Sequence, residues 1–143
     1  MPYTPLSAIT IRIIKEASRE DLICLYKDAG WWKSSYDMSP EFLDDIVKDS
    51  AVFVGAFLGK KLIGMGRALS DLVSDAYIQD VAVLKAYRGR GIGKKIIEAL
   101  IEILKEAGVD WIGLIAEPGT TSFYAELGFG PLKDHVPLKY KDR

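Results

Sequence analysis

The stretch DVAVLKAYRGRGIGKKIIEAL, residues 80–100, decides the fold. Its opening belongs to AYIQDVAVL (76–84), an apolar run of strand character. From Ile92 the pattern turns helical and continues to about Ala107. Ile92, Ile96, Leu100, Ile103, Leu104 and Ala107 fall on one face, with Lys94, Lys95, Glu98, Glu102 and Lys105 largely elsewhere. Between strand and helix lie Gly89, Gly91 and Gly93, set among Lys85, Arg88, Arg90, Lys94 and Lys95. A helix start presents unpaired amides and about half a positive charge, and glycine lets the backbone approach an anion closely. A plain turn with a solvated charge run is the alternative. The coincidence of glycines, cations and helix start predicts a pyrophosphate-type ligand.

Spacing removes two familiar nucleotide loops. A Walker loop needs Gly-Lys followed by Ser or Thr, whereas Gly93-Lys94 is followed by Lys95. A Rossmann fingerprint runs G-x-G-x-x-G with an acidic residue ending the next strand. Here the order is Gly89-x-Gly91-x-Gly93, and Asp110 precedes the next strand.

Outward from this junction the chain reads as one domain over residues 1–143, without repeats or linkers. ITIRII (9–14) alternates as a strand. Ser18 caps a helix that Gly30 ends, and SPEFLDDIVKDS (39–50) opens a second with Pro40 in its first turn. AVFVGAFL (51–58) and KLIGMGRAL (61–69) flank Gly59-Lys60, a hairpin signal of the type II′ kind. WIGLIA (111–116) reads as a buried strand, 118–128 as a short helix, and VPLKY (136–140) as a last edge strand. The class is α/β (α+β), with a crossover helix between two parallel strands.

A net charge of −1 argues against a nucleic-acid-coating or membrane-binding surface, so the basic cluster is local. No apolar run approaches bilayer length, and the first residues lack a secretory pattern. A single cysteine, Cys24, permits no internal disulfide and suggests a reducing, cytoplasmic setting. Its place in an apolar helical stretch makes it a core residue. The single histidine, His135, has no metal-ligand partner, and no metal is expected. Ser122 lacks the G-x-S-x-G turn of a hydrolase nucleophile.

Arg88-Gly89-Arg90-Gly91-Ile92-Gly93 has the form R-x-x-G-x-G, and FYAELGF (123–129) has the form FYxxxGF. Together these resemble the signature elements of the GCN5-related N-acetyltransferase (GNAT) superfamily. The likeness is strongest over 76–130 and, within the superfamily, looks closest to small serotonin or lysine N-acetyltransferases. It implies a mixed, mostly antiparallel sheet of six to seven strands, with parallel fourth and fifth strands that splay apart, flanked by about four helices. It also implies direct transfer of acetyl from acetyl-CoA to a primary amine, on a small molecule or a peptide, through a tetrahedral intermediate. A non-catalytic acyl-CoA sensor is the alternative.

Carried over by position, the resemblance implies that Val81, Ala82 and Val83 pair with the pantetheine arm. The backbone of Arg88, Gly89, Arg90, Gly91, Ile92, Gly93 and Lys94 would hold the pyrophosphate. Tyr124 matches the tyrosine that protonates the leaving sulfur. Asp80 is the candidate base, sharing a pleated face with Ile78 and Ala82 opposite Val81 and Val83; ordering the local backbone is its other reading. Glu117 is second choice. Trp31, Trp32 and Tyr36 either border the acceptor pocket or cap the core. Relatives often carry asparagine where Pro118 stands, which puts one pantetheine contact in question. An exposed strand edge near VPLKY would also permit a homodimer.

Overall fold

The computed structural model describes residues 5–142. Its strands are β1 (Ile9–Ile13), β2 (Val52–Leu58), β3 (Lys61–Ser70), β4 (Asp75–Val83) and β5 (Trp111–Leu114). The helices are α1 (Arg19–Asp28), α2 (Phe42–Asp49), α3 (Ile92–Glu106) and α4 (Thr121–Ala125), with three single 3₁₀ turns besides. One sheet runs in the order β1-β2-β3-β4-β5, antiparallel as far as β4 and parallel between β4 and β5.

Local chemistry accounts for most boundaries. The Ser18 hydroxyl accepts the Asp21 amide at 3.3 Å and starts α1. In the β2–β3 hairpin Gly59 takes φ +61 and Lys60 does not follow it into positive φ, which is the II′ pattern.

Each face of the sheet has its own core. On one face Ile92, Ile96, Ile97, Leu100 and Leu104 of α3 pack on Val54, Ala56, Ala68, Ala76 and Ile78. The helix comes close because β3 carries glycine beneath it: a Cβ on Gly66 would lie 2.7 Å from Ile96 Cγ2. On the other face Leu22, Leu25 and Tyr26 of α1 and Leu43 and Val47 of α2 cover Phe53, Leu62, Met65 and Ala82. Each fully buried leucine or isoleucine contributes about 1.5–3 kcal/mol, so α3 and β4 form a firm base for the loop between them. Cys24, two positions off the buried Leu22, is exposed rather than in the core.

Three strand expectations change. Among the described residues the sheet has five strands, not six to seven. VPLKY pairs with nothing: Val136, Leu138 and Tyr140 are 73%, 90% and 86% exposed. A strand there needs a pairing partner and a face to cover, and the segment takes up neither here although the outer edge of β5 is open. β5, paired on one side only, is half-exposed rather than buried, with Trp111 46% accessible at the uncovered sheet end.

A fourth change lies inside β4. Met65 pairs with Ala82 and Arg67 with Gln79, so β4 spends three steps where β3 spends two. The extra residue makes a β-bulge, and Asp80 takes φ +54 within it. Side chains change faces across a bulge: Ile78 belongs to the α3 core and Ala82 to the α1–α2 core. Asp80 therefore shares Ala82's face but not Ile78's, while Val81 and Val83 keep to the α3 side.

Candidate active site

The site has two parts, joined by β4. At one end β4 runs into the glycine loop. Gly89 and Gly91 stand at φ +77 and +82, the latter as the residue that begins α3. A Cβ on Gly89 would meet nothing within 4 Å, and one on Gly91 only Leu6 at 3.8 Å. Backbone shape, not crowding, demands glycine here. The first helical bond joins the Lys95 amide to the Gly91 carbonyl at 3.1 Å. The amides from Gly91 to Lys94 stand ahead of it, with no intrahelical acceptor, at the positive end of the helix. Ile92 is buried, so its backbone alone is available there, while Lys94 and Lys95 are exposed.

The loop's cations are not all free charge. Arg88 Nε donates to the Val83 carbonyl at 2.8 Å, and its Nη2 lies 3.6 Å from Asp28. Asp28 also accepts the Lys85 amide at 2.9 Å. The Arg88 amide donates to the Lys85 carbonyl at 3.3 Å. Arg88 thus braces the loop against α1 and the end of β4, and Arg90 lies 5.9 Å from the Tyr87 ring. Gly93 serves packing instead, since a Cβ there would stand 3.3 Å from Phe123 Cζ. That close approach seats α4 on the first turn of α3, bringing the FYAELGF element against the glycine loop.

At the other part, β4 and β5 stop pairing at Ile78 and Leu114. Beyond that point the strands part around a cleft of about 320 Å³, whose walls include Trp31, Asp80, Val81, Glu117, Thr120 and Tyr124. From Gln79 to Val83 the edge of β4 that faced β5 has no strand partner among the described residues. Pro118 is not in α4's first turn. With Gly119 at φ +82 and the Thr120 amide on the Glu117 carbonyl at 3.1 Å, it forms a type II turn that brings Glu117 and Thr120 to the cleft.

Asp80 is held by one residue of α1 and one of β3. Its Oδ2 accepts the Tyr26 hydroxyl at 2.7 Å and Arg67 Nε at 2.9 Å. Arg67 is in turn bonded to Ser50 Oγ and Gln79 Oε1, each at 3.3 Å. Both bonds to the carboxylate thus fall on the one oxygen. Burial first, then the Asp80 charge, pushes the Tyr26 hydroxyl far above the usual tyrosine range. Across the cleft, Tyr124 packs edge-on against Phe123 and Phe129 at 5.0 and 5.9 Å. Burial raises its pKa, and the Glu117 charge adds to the effect. Tyr124 therefore keeps its proton at neutral pH.

The structure brings Asp80, Val81, Tyr124, Glu117 and Trp31 to one cavity. Trp31 also packs edge-on to Tyr26 at 5.9 Å. Trp32 and Tyr36 lie apart, clustered with Phe42, with Trp32 Nε1 on Asp37 at 2.8 Å. Ala82 is buried, and the Val83 carbonyl already accepts Arg88. Tyr26 and Arg67 escape the motif reading because they meet Asp80 across 54 and 13 residues, with no spacing rule to mark them. The Pro-Gly pair at 118–119 was the available signal for the turn that places Thr120. Among the described residues no cluster of His, Cys, Asp and Glu suits a metal ion.

Comparison with known proteins bears on both parts. The family model described as Acetyltransferase (GNAT) family matches residues 14–129. A Pyropia yezoensis protein named uncharacterized N-acetyltransferase ycf52 is 39% identical over 97 residues, covering 65% of this chain and 55% of its own. GCN5-related N-acetyltransferase 2, chloroplastic, of Arabidopsis thaliana is 44% identical over 70 residues, 49% of this chain and 27% of its own. The chain thus spans about half or less of these relatives. A crystal structure of a probable acetyltransferase of unknown function from Staphylococcus aureus superposes with a TM-score of 0.78 at 25% identity, covering 94% of this chain and 99% of that one. The cytoplasmic assignment does not stand, because relatives this similar include chloroplastic proteins. The family match runs from the end of β1 through FYAELGF and so takes in both parts of the site; the chain is a member of the acetyltransferase (GNAT) family.

Proposed function

We propose that this chain transfers an acetyl group from acetyl-CoA to a primary amine. The observation that carries the reading is that Asp80 and Tyr124 face one cleft, and that β4 leads from this cleft to the open amides of α3. The loop leaves its backbone open to an anion, since positions 89 and 91 leave their Cβ space empty or nearly so. The amides from Gly91 to Lys94 hold the pyrophosphate, with Lys94 beside them. The unpaired edge around Val81 receives the pantetheine arm as an added strand would.

Acetyl-CoA supplies an activated thioester, whose acetyl passes to the amine while its sulfur departs. The protein's share is to gather the amine and move two protons. Glu117 gives the cleft wall negative charge, the Asp80 charge being offset by Arg67, and this draws a cationic amine. Asp80 Oδ1 accepts the amine's proton, while Tyr26 and Arg67 hold the carboxylate through Oδ2. As the carbon–sulfur bond breaks, Tyr124 gives its proton to the departing sulfur and takes back the second proton that the nitrogen sheds from the tetrahedral intermediate. Trp31 forms the aromatic side of the acceptor pocket.

The test is CoA release over polyamines, arylalkylamines, amino acids and lysine peptides. The expected result is amine-dependent release, with Tyr124→Phe lowering kcat by about 10²-fold while the thermal shift with CoA is kept. A CoA thermal shift without release on any amine would overturn acetyl transfer in favour of an acyl-CoA sensor.

A further inference from the structure

Gln79 has no part in the chemistry proposed above, yet it lines the cleft beside Asp80 and is tied to the same guanidinium. In a regular strand, consecutive side chains point to opposite faces. The bulge in β4 breaks that rule. Gln79 Oε1 accepts Arg67 Nη2 at 3.3 Å, and Asp80 Oδ2 accepts Arg67 Nε at 2.9 Å. Two neighbouring residues thus turn to one side and share one cation.

Arg67 decides how the Gln79 carboxamide lies. A guanidinium only donates, so it must meet the carboxamide oxygen, and the nitrogen is the end left over. That nitrogen, Nε2, carries two N–H donors, and among the described residues no acceptor takes them. It is not sealed away, since Gln79 is half-buried on the cleft wall. Asp80 is the mirror case. Both its bonds fall on Oδ2, which leaves Oδ1 as an acceptor without a partner. The Arg67 side chain is only 15% exposed and makes a third bond, to Ser50 Oγ at 3.3 Å, so the pair is held from behind by a rigid fork. On adjacent residues the cleft therefore presents one open acceptor and one open donor group.

We propose that Gln79 determines specificity, and that the acceptor is an amine with a neutral oxygen close to its nitrogen: an α-amino amide, peptide N-termini included, or a β-amino alcohol. This rests on the acetyl-transfer reading. The amine N–H meets Asp80 Oδ1, and the oxygen accepts from Gln79 Nε2. Consecutive Cα atoms are about 3.8 Å apart, so groups on the two residues suit ligand atoms that are near neighbours, such as the ends of an N–C–C–O unit. A polyamine or plain alkylamine offers Nε2 nothing to donate to and leaves it desolvated without a partner. A free amino acid has an oxygen, but its carboxylate would stand beside Asp80 Oδ1 and face the Glu117 charge. The oxygen is therefore neutral.

CoA release on four small amines tests it. Ethanolamine and propylamine differ by a hydroxyl in place of a methyl, glycinamide and glycine by an amide in place of a carboxylate. In kcat/KM the wild type should prefer ethanolamine to propylamine and glycinamide to glycine. Gln79→Leu removes the donor and should cut the ethanolamine-to-propylamine ratio roughly 3- to 10-fold, the worth of one neutral hydrogen bond. The intrinsic reactivities of the two amines cancel in that comparison. Gln79→Glu keeps an oxygen toward Arg67 but replaces the donor with an acceptor, and should lower the ratio at least as far. Both variants should keep the thermal shift with CoA. A wild type that prefers propylamine or lysine side chains to both oxygen-bearing amines overturns the proposal, as does a ratio that neither variant lowers. Release on no amine at all, with the CoA shift kept, is the separate failure of acetyl transfer itself and takes this proposal with it.

Discussion

The glycine loop and the cleft are joined by a single strand, yet they are built in opposite ways. The loop is made of backbone: two glycines at positive φ, and amides left over from a helix start. Its arginines brace it or lie against an aromatic ring. The cleft is made of side chains from several elements and loops, held by Asp80 in a bulge with Tyr26 and Arg67 on one oxygen. One part is insensitive to most side chains and intolerant of a changed φ; the other is the reverse.

That contrast is open to direct attack. The largest effect belongs to Asp80→Asn, which removes the charge while keeping the shape. It should lower kcat by about 10²–10⁴-fold and leave the thermal shift with CoA intact. A parallel loss of CoA affinity would show that the two parts are not separable. Next is Gly91→Val, which forces a β-branched residue into φ +82 at about 1–2 kcal/mol of strain. CoA affinity should fall about tenfold or more in titration calorimetry, and unchanged affinity would mean that loop shape is not what binds.

The smallest effect concerns Tyr26→Phe, read in stability against pH. The folded-state pKa of Tyr26 is raised, so the folded chain keeps the proton that the unfolded chain loses near tyrosine's ordinary value of 10.0. Its contribution is complete below that pH and is lost as pH climbs from there toward the folded value. The wild type should therefore lose stability above about pH 10 with a slope of up to about 1.4 kcal/mol per pH unit from this group. Tyr26→Phe should be about 1.5–3 kcal/mol less stable at neutral pH, from the lost bond to a charged group, and its alkaline slope should be shallower. An unchanged slope would remove Tyr26 from the buried network.

The loop was readable in advance because glycine codes for φ locally and helical periodicity marks where α3 begins. FYAELGF was readable as a motif, although only the packing of Phe123 over Gly93 explains why it travels with the loop. Asp80 was legible as a residue but not in its geometry. Strict alternation placed it with Ile78, and the bulge undid that. Trp32 and Tyr36 were grouped with Trp31 by proximity in sequence, but only Trp31 reaches the cleft, because the other two settle on Phe42. VPLKY had a strand's pattern, and within one chain no strand formed.

From sequence alone come the starts of α1 and α3, the hairpin turn, the glycine loop and the family likeness, all of which rest on one residue's φ or on spacing within a few turns. By contrast, α2 begins at Phe42 and α4 at Thr121, later than their prolines suggested. Tertiary structure alone decided the extra residue in β4, the parting of β4 from β5, and the Tyr26–Asp80–Arg67 network. A bulge's position depends on how two strands match along their whole length, and the Tyr26 bond closes across 54 residues. Such contacts form only when α1, β3 and β4 are already packed, so no local pattern carries them.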